Sequence, residues 1–235
     1  MCGRGAQTSD PETIARRFGV VGPLPNLQAR YNVAPLQEVG VVRRNPKTGA
    51  RALDPLVWGL VPHWSPSTKP TFNSINARAE TVATTRAYRD AWQAGRRCLV
   101  PFDLFYEWQA VPGSEAKQPH AIARKDRAPL GMAGLWESKR LDGQRDGGDT
   151  VLRSFTIITT TANAALASLH ERMPVILAPE SYDAWLGDTP ASPDALHALL
   201  RPCPDDWLEF WPVDARVGNW RNDDPGLILP LAAAS

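Results

Sequence analysis

Short runs of apolar or alternating apolar and polar residues recur along the chain, each bounded by proline or glycine. Runs of this character predict β-strands. The predicted strands cover residues 39–42, 56–61, 98–100, 121–124, 130–136, 155–160 and 174–177. The hydrophobic pattern therefore predicts a chain built mainly from strands.

Helix-capping residues mark four short helical segments between these strands. In the first, Asp10 precedes Pro11, an arrangement favoured at a helix N-terminus, and Gly19 follows as a stop signal. Asn163 and Ser192 are the predicted caps of two later helices. The predicted helices cover residues 11–18, 86–94, 163–169 and 193–200.

The order of these elements indicates the fold class. Strands follow one another through short loops and the helices are irregularly placed, unlike the regular alternation of a doubly wound parallel sheet. We therefore predict an α+β fold, a compact single domain over residues 1–235 with mainly antiparallel β-sheets, a barrel-like core and peripheral short helices. Segment 139–150 is predicted to be a loop, too short for a domain linker.

The composition is that of an ordinary globular protein, with 43% hydrophobic and 22% charged residues. No run approaches the roughly 18 apolar residues of a membrane span, and the start, MCGRGAQTSD, lacks the apolar core of a signal peptide. We expect a cytoplasmic protein with no membrane partner. The net charge of +1 gives no overall attraction to nucleic acid, so any DNA affinity must come from a local basic patch.

The cysteines and histidines do not form a metal-binding pattern. Cys2, Cys98 and Cys203 are widely spaced and lack the CxxC pairs of structural zinc sites, so we expect free thiols. The four histidines are also well separated. We predict no metal and no other cofactor.

Cys2 carries the most distinctive chemistry in the chain. We expect Met1 to be removed, because the next residue is small, and Cys2 then has an α-amine beside its thiol. An α-amine has a pKa of about 7.7 to 8.0, so part of it is neutral near pH 7 and able to attack a carbonyl. The amine forms a Schiff base with an aldehyde, and the thiol can close onto it as a five-membered thiazolidine. Taken alone, a cysteine at position 2 is better explained as a chance small residue behind Met1.

Two further segments offer groups that could assist such a reaction. Glu107 stands within the aromatic segment FYEW, which favours a desolvated carboxylate with a raised pKa, suited to acid-base catalysis. It could equally face water from the polar side of a strand. Asn76 and Arg78 could place an amide on a reacting oxygen and a guanidinium on a phosphate, or could be surface residues at the start of a helix.

The segment HERMP and one tryptophan complete the candidates. His170 offers a titratable imidazole and Arg172 a phosphate-binding fork, although a histidine at a helix end is often structural. Trp64, close to prolines on both sides, is predicted to lie on an exposed loop, where it could stack on an unpaired base. Core packing is the alternative for most of the nine tryptophans.

Several motifs together resemble those of one protein family. The chain contains MCGR at 1–4, YNVAP at 31–35, WGLVPHW at 58–64, NARAET at 76–81 and FYEW at 105–108. The match continues in order with AGLWE at 133–137, TIITTTAN at 156–163 and HERMPVIL at 170–177. These segments span nearly the whole chain, which resembles the SRAP family of abasic-site-processing proteins, earlier described as SOS-response-associated peptidases.

The resemblance implies a mechanism for Cys2. Cys2 would form a thiazolidine with the ring-opened deoxyribose of an abasic site in single-stranded DNA and so shield the lesion. Asn76 would hold Cys2 and the sugar, Glu107 would be the acid-base group for imine formation, and His170 would assist ring opening and reversal of the crosslink.

The resemblance also implies a DNA-binding surface. Phosphates and the strand at the lesion would be held by Arg4, Pro35, Trp64, Arg78, Thr160 and Arg172, with the proline and tryptophan splaying the strand. The implied partner is single-stranded DNA with abasic sites, bound by a monomer that associates with the nucleoid when the DNA is damaged.

Two other functions are compatible with the same residues. In a peptidase or N-terminal-nucleophile hydrolase, the Cys2 thiol would attack an amide carbonyl with its own amine as base. In a binding module without chemistry, arginine and tryptophan side chains would hold single-stranded DNA and Cys2 would be dispensable.

Overall fold

A computed structural model describes residues 2–141 and 151–231. Its strands are β1 Gly5–Gln7, β2 Arg30–Val33, β3 Glu38–Arg44, β4 Arg51–Trp58, β5 Asn76–Arg78, β6 Arg97–Phe102, β7 Leu104–Ala110, β8 Lys117–Arg124, β9 Leu130–Arg140, β10 Val151–Thr161, β11 Arg172–Pro174 and β12 Leu208–Pro212. Its α-helices are α1 Pro11–Phe18, α2 Arg89–Gln93, α3 Tyr182–Leu186 and α4 Pro193–Ala198. No helix within the described ranges is long and apolar enough to cross a membrane.

The strands form two sheets, and the predicted α+β class is confirmed. The first sheet has the order β12-β8-β7-β1-β2 and is antiparallel throughout. The second has the order β11-β10-β4-β3-β6-β9, and β9 also pairs with β10. This last pairing closes β10, β4, β3, β6 and β9 into a five-stranded barrel, the predicted barrel-like core. Only the pairings of β10 with β4 and with β5 are parallel among the described strands.

Two apolar clusters fill the two faces of the barrel strands. Because successive side chains of a strand point to opposite faces, Val41 packs into one cluster and Val42 into the other. The first cluster contains Trp58, which contacts Phe102 at 5.6 Å and Phe155 at 6.2 Å between ring centroids. Cys2 belongs to the same cluster, so the start of the chain is packed against the barrel core.

Helix α1 begins and ends where the sequence predicts. The Asp10 side chain accepts a hydrogen bond from the Thr13 backbone N–H at 2.6 Å, and Gly19 has the left-handed φ of 67° that ends the helix. Two other predicted helices are present but shorter, namely α2 and α4. Helix α3 was not predicted from the sequence.

The helix predicted over 163–169 is wrong, because this segment forms consecutive turns. The Asn163 side chain accepts a hydrogen bond from Leu166 N–H and donates one to the Cys203 carbonyl oxygen, so it holds the segment to a distant part of the chain. Hydrogen bonds three residues apart, such as that from Leu169 N–H to the Leu166 carbonyl, alternate with isolated bonds four residues apart, so no continuous helical series forms.

Several strand boundaries also differ from the prediction. The strand predicted over 56–61 is β4, which ends at Trp58 because Gly59 takes a φ of 130°. The strand predicted over 174–177 is displaced to β11, and beyond it Ile176 makes only an isolated bridge to Met132. Of the loop predicted over 139–150, residues 139 and 140 belong to β9, and 142–150 lie outside the described residues.

Candidate functional site

Cys2 lies just before β1, the strand that joins β7 and β2 in the first sheet. Its side chain is fully buried, and Gly5 in β1 faces Phe105 in β7. A Cβ atom at Gly5 would lie 2.6 Å from the Phe102 ring, so only glycine allows β1 to approach the barrel this closely. The absence of a side chain at position 5 therefore seats the beginning of the chain in the core.

Glu107 in β7 is a buried carboxyl beside Cys2. It is 5% exposed, and burial raises its pKa above the ordinary value of 4.5, while the nearby His170 lowers it. Burial also raises the pKa of the Cys2 thiol, and the negative charge of Glu107 adds to that effect. The thiol, carboxyl and imidazole thus share one electrostatic environment, in which Glu107 keeps a proton to a higher pH than an exposed carboxyl does.

Asn76 connects the barrel to Cys2. It begins β5, which pairs in parallel with β10, and its backbone oxygen accepts a hydrogen bond from the Tyr88 hydroxyl at 3.0 Å. Its side-chain Nδ2 donates a hydrogen bond to the Cys2 carbonyl oxygen at 2.7 Å. The Oδ1 atom is buried with no hydrogen-bond partner among the described residues. Since a buried acceptor is costly to leave unsatisfied, this oxygen is available to a bound molecule.

His170 follows the turns of 164–169 and is half-buried. Its Nδ1 atom accepts a hydrogen bond from the Arg172 backbone N–H at 2.9 Å. That bond requires a lone pair on Nδ1, so the neutral imidazole carries its proton on Nε2. The tautomer is fixed by the local chain, which orients the ring at the edge of the site.

Thr160 is buried in the barrel wall, and Arg172 is buried in the adjoining strand β11. The Arg172 guanidinium donates two hydrogen bonds to the Glu80 carboxylate, at 2.9 and 3.0 Å, and one to the Thr159 carbonyl oxygen at 2.6 Å. Hydrogen bonds from Arg172 lower the pKa of Glu80. Thr160 in β10 is 5% exposed and faces Met173 in β11. The charge of Arg172 is therefore already matched by an acid, a contact that the sequence did not reveal.

Arg4 is held by the C-terminal part of the chain. One of its terminal nitrogens donates hydrogen bonds to Asn32 Oδ1 at 2.9 Å and to the Val217 carbonyl oxygen at 2.7 Å. Burial lowers the pKa of Arg4. Asn32 is fully buried and was not among the predicted site residues; its position in the motif YNVAP is the signal that could have indicated it. Pro35, in the same motif, is half-buried beside Arg4.

Trp64 and Arg78 are exposed, as suits a surface that meets a large ligand. Trp64 is 40% exposed, as predicted, and its ring lies 4.4 Å from the guanidinium carbon of Arg86. Arg78 ends β5, two residues after Asn76. The Arg78 side chain is therefore exposed two residues from the buried amide of Asn76, and the Trp64 ring is exposed beside Arg86.

The structure therefore brings together Cys2, Asn76, Glu107 and His170, the four residues predicted to be catalytic. The three cysteines are free thiols. Within the described residues there is no group of three or more His, Cys, Asp or Glu arranged to hold a metal ion. A buried thiol, a carboxyl with a raised pKa, an amide and an oriented imidazole can support nucleophilic and proton-transfer chemistry.

Comparison with known proteins finds relatives that match nearly the whole chain. The family model described as SOS response associated peptidase (SRAP) matches residues 1–220. The abasic site processing protein YoqW of Bacillus subtilis is 34% identical over 97% of this chain and 99% of its own length. The abasic site processing protein YedK of Escherichia coli is 32% identical over 98% and 100%. A crystal structure of a protein from Bacteroides thetaiotaomicron, 22% identical, covers 98% of this chain and 100% of its own with a TM-score of 0.82, which shows a shared fold.

Proposed function

The chain belongs to the SOS response associated peptidase family, and from this premise we propose that it processes abasic sites in DNA by a covalent reaction at Cys2. The proposal rests mainly on the proximity of Asn76 and Glu107 to Cys2 and of His170 to Glu107. The names of the relatives support an abasic site as the target. Its open-chain deoxyribose presents an aldehyde, the electrophile that an N-terminal cysteine traps.

The first step forms a Schiff base. After removal of Met1, the neutral α-amine of Cys2 adds to the aldehyde carbon, and the resulting hydroxyl group leaves as water while a carbon–nitrogen double bond forms. Glu107 is the proton carrier for this step, because it is buried beside Cys2 and its raised pKa lets it keep a proton to a higher pH than an exposed carboxyl does. It accepts a proton from the adding amine and returns one to the departing water.

The second step closes the ring. The Cys2 sulfur bonds to the imine carbon, the π electrons of the double bond move to nitrogen, and the thiol proton ends on that nitrogen. The product is a five-membered thiazolidine, and the whole sequence releases one water molecule. Because burial raises the pKa of the Cys2 thiol, the sulfur enters this step protonated, and its proton is the one that ends on nitrogen.

Asn76 and His170 assist at either end of the reaction. Asn76 Nδ2 fixes the Cys2 carbonyl, while its buried Oδ1 can accept a hydrogen bond from a sugar hydroxyl. The Nε2 proton of His170 is suited to the ring oxygen of the closed sugar, where donation favours opening to the aldehyde.

The chemistry of Cys2 favours an aldehyde over a peptide substrate. A cysteine peptidase relies on a thiolate, and its reactive cysteines have lowered pKa values. Burial and Glu107 shift the pKa of Cys2 in the opposite direction. This difference favours an abasic site over a peptide as the substrate. We further propose that the partner is single-stranded DNA with abasic sites. The protein would bind it as a monomer, in the cytoplasm at the nucleoid.

A direct test is to incubate the protein, with its N-terminus verified as Cys2, with a single-stranded oligonucleotide carrying one abasic site. The expected product survives a denaturing gel without borohydride and has the summed mass of protein and DNA less one water. Cys2→Ala should give no such product while still binding the DNA. A parent protein that forms no adduct, or an alanine variant that forms it normally, would overturn the proposal.

A further inference from the structure

A cleft with a volume of about 390 Å³ opens beside the Cys2 site. Arg4 and Pro35 line it on the side of the site, and Leu36, Phe72 and Trp220 supply most of its apolar surface. These three side chains are 38%, 67% and 47% exposed. Large apolar side chains that are exposed together around a cavity commonly mark a binding surface.

The wall formed by Leu36 is held in a strained conformation. Leu36 has a φ of 70°, which is unfavourable for a residue with a branched side chain, and its N–H donates to the Trp58 carbonyl oxygen at 2.8 Å. A Cβ atom at Gly59 would lie 3.0 Å from Pro70 and 3.4 Å from the Leu36 side chain. Glycine at position 59 therefore allows the segment that leads to Phe72 to close over Leu36.

The opposite wall is fixed by buried polar side chains. Asn32 Nδ2 donates to the carbonyl oxygens of residues 217, 219 and 222, at distances of 3.2, 3.1 and 2.8 Å. Arg4 adds its bond to residue 217. Trp220 thus projects from a loop whose backbone is tied down on both sides of it, so its exposure is not the result of a loose chain.

Charge at the cleft favours a polyanion with a flat apolar part. The Arg221 guanidinium lies 4.9 Å from the centroid of the Trp220 ring, and Arg4 lines the floor. The nearby Asp223 carboxylate already accepts hydrogen bonds from Arg30 and from the backbone N–H groups of Tyr31 and Asn32, which offsets its charge. Aromatic faces next to arginine are the surfaces on which unpaired bases stack.

We propose that this cleft binds one unpaired nucleobase of the same DNA strand that carries the abasic site, a few nucleotides from the lesion. The inference rests on the proposed function, because Arg4, which lines the cleft, lies two residues from Cys2 along the chain. The cleft volume of about 390 Å³ lies within the range of roughly 300–1,000 Å³ of small-molecule pockets, so the cleft has room for a single base. The base stacks against Trp220 and Phe72, which hold the strand while the sugar reacts.

The test measures binding without chemistry. Fluorescence anisotropy gives the Kd for single-stranded oligonucleotides whose lesion is a tetrahydrofuran analogue, which has no aldehyde. A second baseless spacer is moved through the three positions on each side of the lesion. At one position the spacer should weaken binding about tenfold, the effect of losing one base–aromatic stack, and Trp220→Ala should weaken binding of the fully based strand by a similar factor.

The decisive comparison combines both changes. If the base at that position contacts Trp220, the spacer should have little further effect in Trp220→Ala, whereas Trp220→Phe should restore most of the discrimination. Phe210→Ala is the matched control, because Phe210 is also an exposed aromatic residue, 40% exposed. It lies on β12, the edge of the first sheet opposite β2, whose Asn32 holds the loop of Trp220. The proposal would be overturned if the spacer raised the Kd by the same factor in Trp220→Ala as in the parent. It would also be overturned if all oligonucleotides had the same Kd.

The two proposals fail in different ways. If the cleft does not bind a base, Trp220→Ala keeps the parent Kd while the aldehyde-bearing oligonucleotide still gives the adduct. If Cys2 does not form the adduct, the covalent product is missing while the spacer at one position still weakens binding of the tetrahydrofuran oligonucleotide through Trp220.

Discussion

The side-chain amide of Asn76 donates a hydrogen bond to the carbonyl oxygen of Cys2 across 2.7 Å. Asn76 belongs to β5, which pairs with the barrel strand β10, whereas Cys2 precedes β1 of the other sheet. This bond therefore fixes the nucleophile of one sheet relative to a strand attached to the other, and it leaves the Oδ1 atom of the same amide for a ligand.

Asn76→Ala should slow adduct formation by about two- to tenfold for each of the ordinary hydrogen bonds that it removes. The physical reason is a less confined Cys2 and a sugar hydroxyl without its acceptor. The rate is measured by denaturing gel under single-turnover conditions. Asn73→Ala, an exposed position three residues earlier, is the control and should react at the parent rate, and equal rates for the two variants would contradict the assignment.

Glu107→Gln should lower the rate of adduct formation by about 10²- to 10⁴-fold, because glutamine has the shape of glutamate but cannot carry a proton. The pH profile gives a second readout. Acid protonates the Cys2 α-amine in both proteins, so both rates should fall. Because burial raises the pKa of Glu107, the parent should show an additional fall with a midpoint above 4.5, as the carboxylate becomes protonated. The variant should lack this additional fall, and identical pH profiles for the two proteins would assign it to another group.

The same substitution should increase stability at neutral pH. The folded state holds the Glu107 proton to a higher pH than the unfolded chain does, so this residue lowers the free energy of unfolding as the pH rises from 4.5 through its raised pKa. Thermal unfolding at several pH values should give a stability advantage for Glu107→Gln that is smallest below pH 4.5 and reaches a plateau above the folded pKa. An advantage that is largest in acid would show that the carboxylate is stabilised by the fold.

Arg78→Ala should reduce the salt dependence of DNA binding. If Arg78 neutralises one phosphate of a single strand, the slope of log K against log salt concentration should become shallower by about 0.7. The slope is obtained from binding titrations at several salt concentrations. Lys47→Ala is the control, since Lys47 is exposed in the turn after β3, at the opposite end of that strand from Pro35, and its slope should stay that of the parent.

Local signals account for the part of the fold that the sequence predicted best. Helix α1 was predicted over its full length because Asp10, Pro11 and Gly19 act within a single short segment. The helix predicted over 163–169 failed for the opposite reason, since Asn163 is engaged by Cys203, 40 residues away. Local propensity is a weak guide wherever a tertiary contact competes with it.

In the candidate site, too, the residues with a local sequence signal were predicted and the tertiary contacts were not. Cys2, Asn76, Glu107 and His170 were found by their chemistry and by motif, and the structure adds how they are held. Arg172 pairs with Glu80, which lies 92 positions away in the chain. Asn32 donates hydrogen bonds to the loop of Trp220, 185 to 190 positions away. No periodicity or short motif contains such information, because it arises only when the two sheets and the C-terminal segment pack.

The bond from Arg4 to the Val217 carbonyl oxygen has a consequence for biosynthesis. The residues around Cys2 leave the ribosome first, but a partner that secures them is translated 213 residues later. At about 5–20 residues per second, this leaves the nascent N-terminus accessible for tens of seconds at the slower rates and about ten seconds at the fastest. The proposed excision of Met1 is best placed in this interval, since Cys2 is fully buried in the finished fold. The protein would then be matured by a peptidase acting on the growing chain.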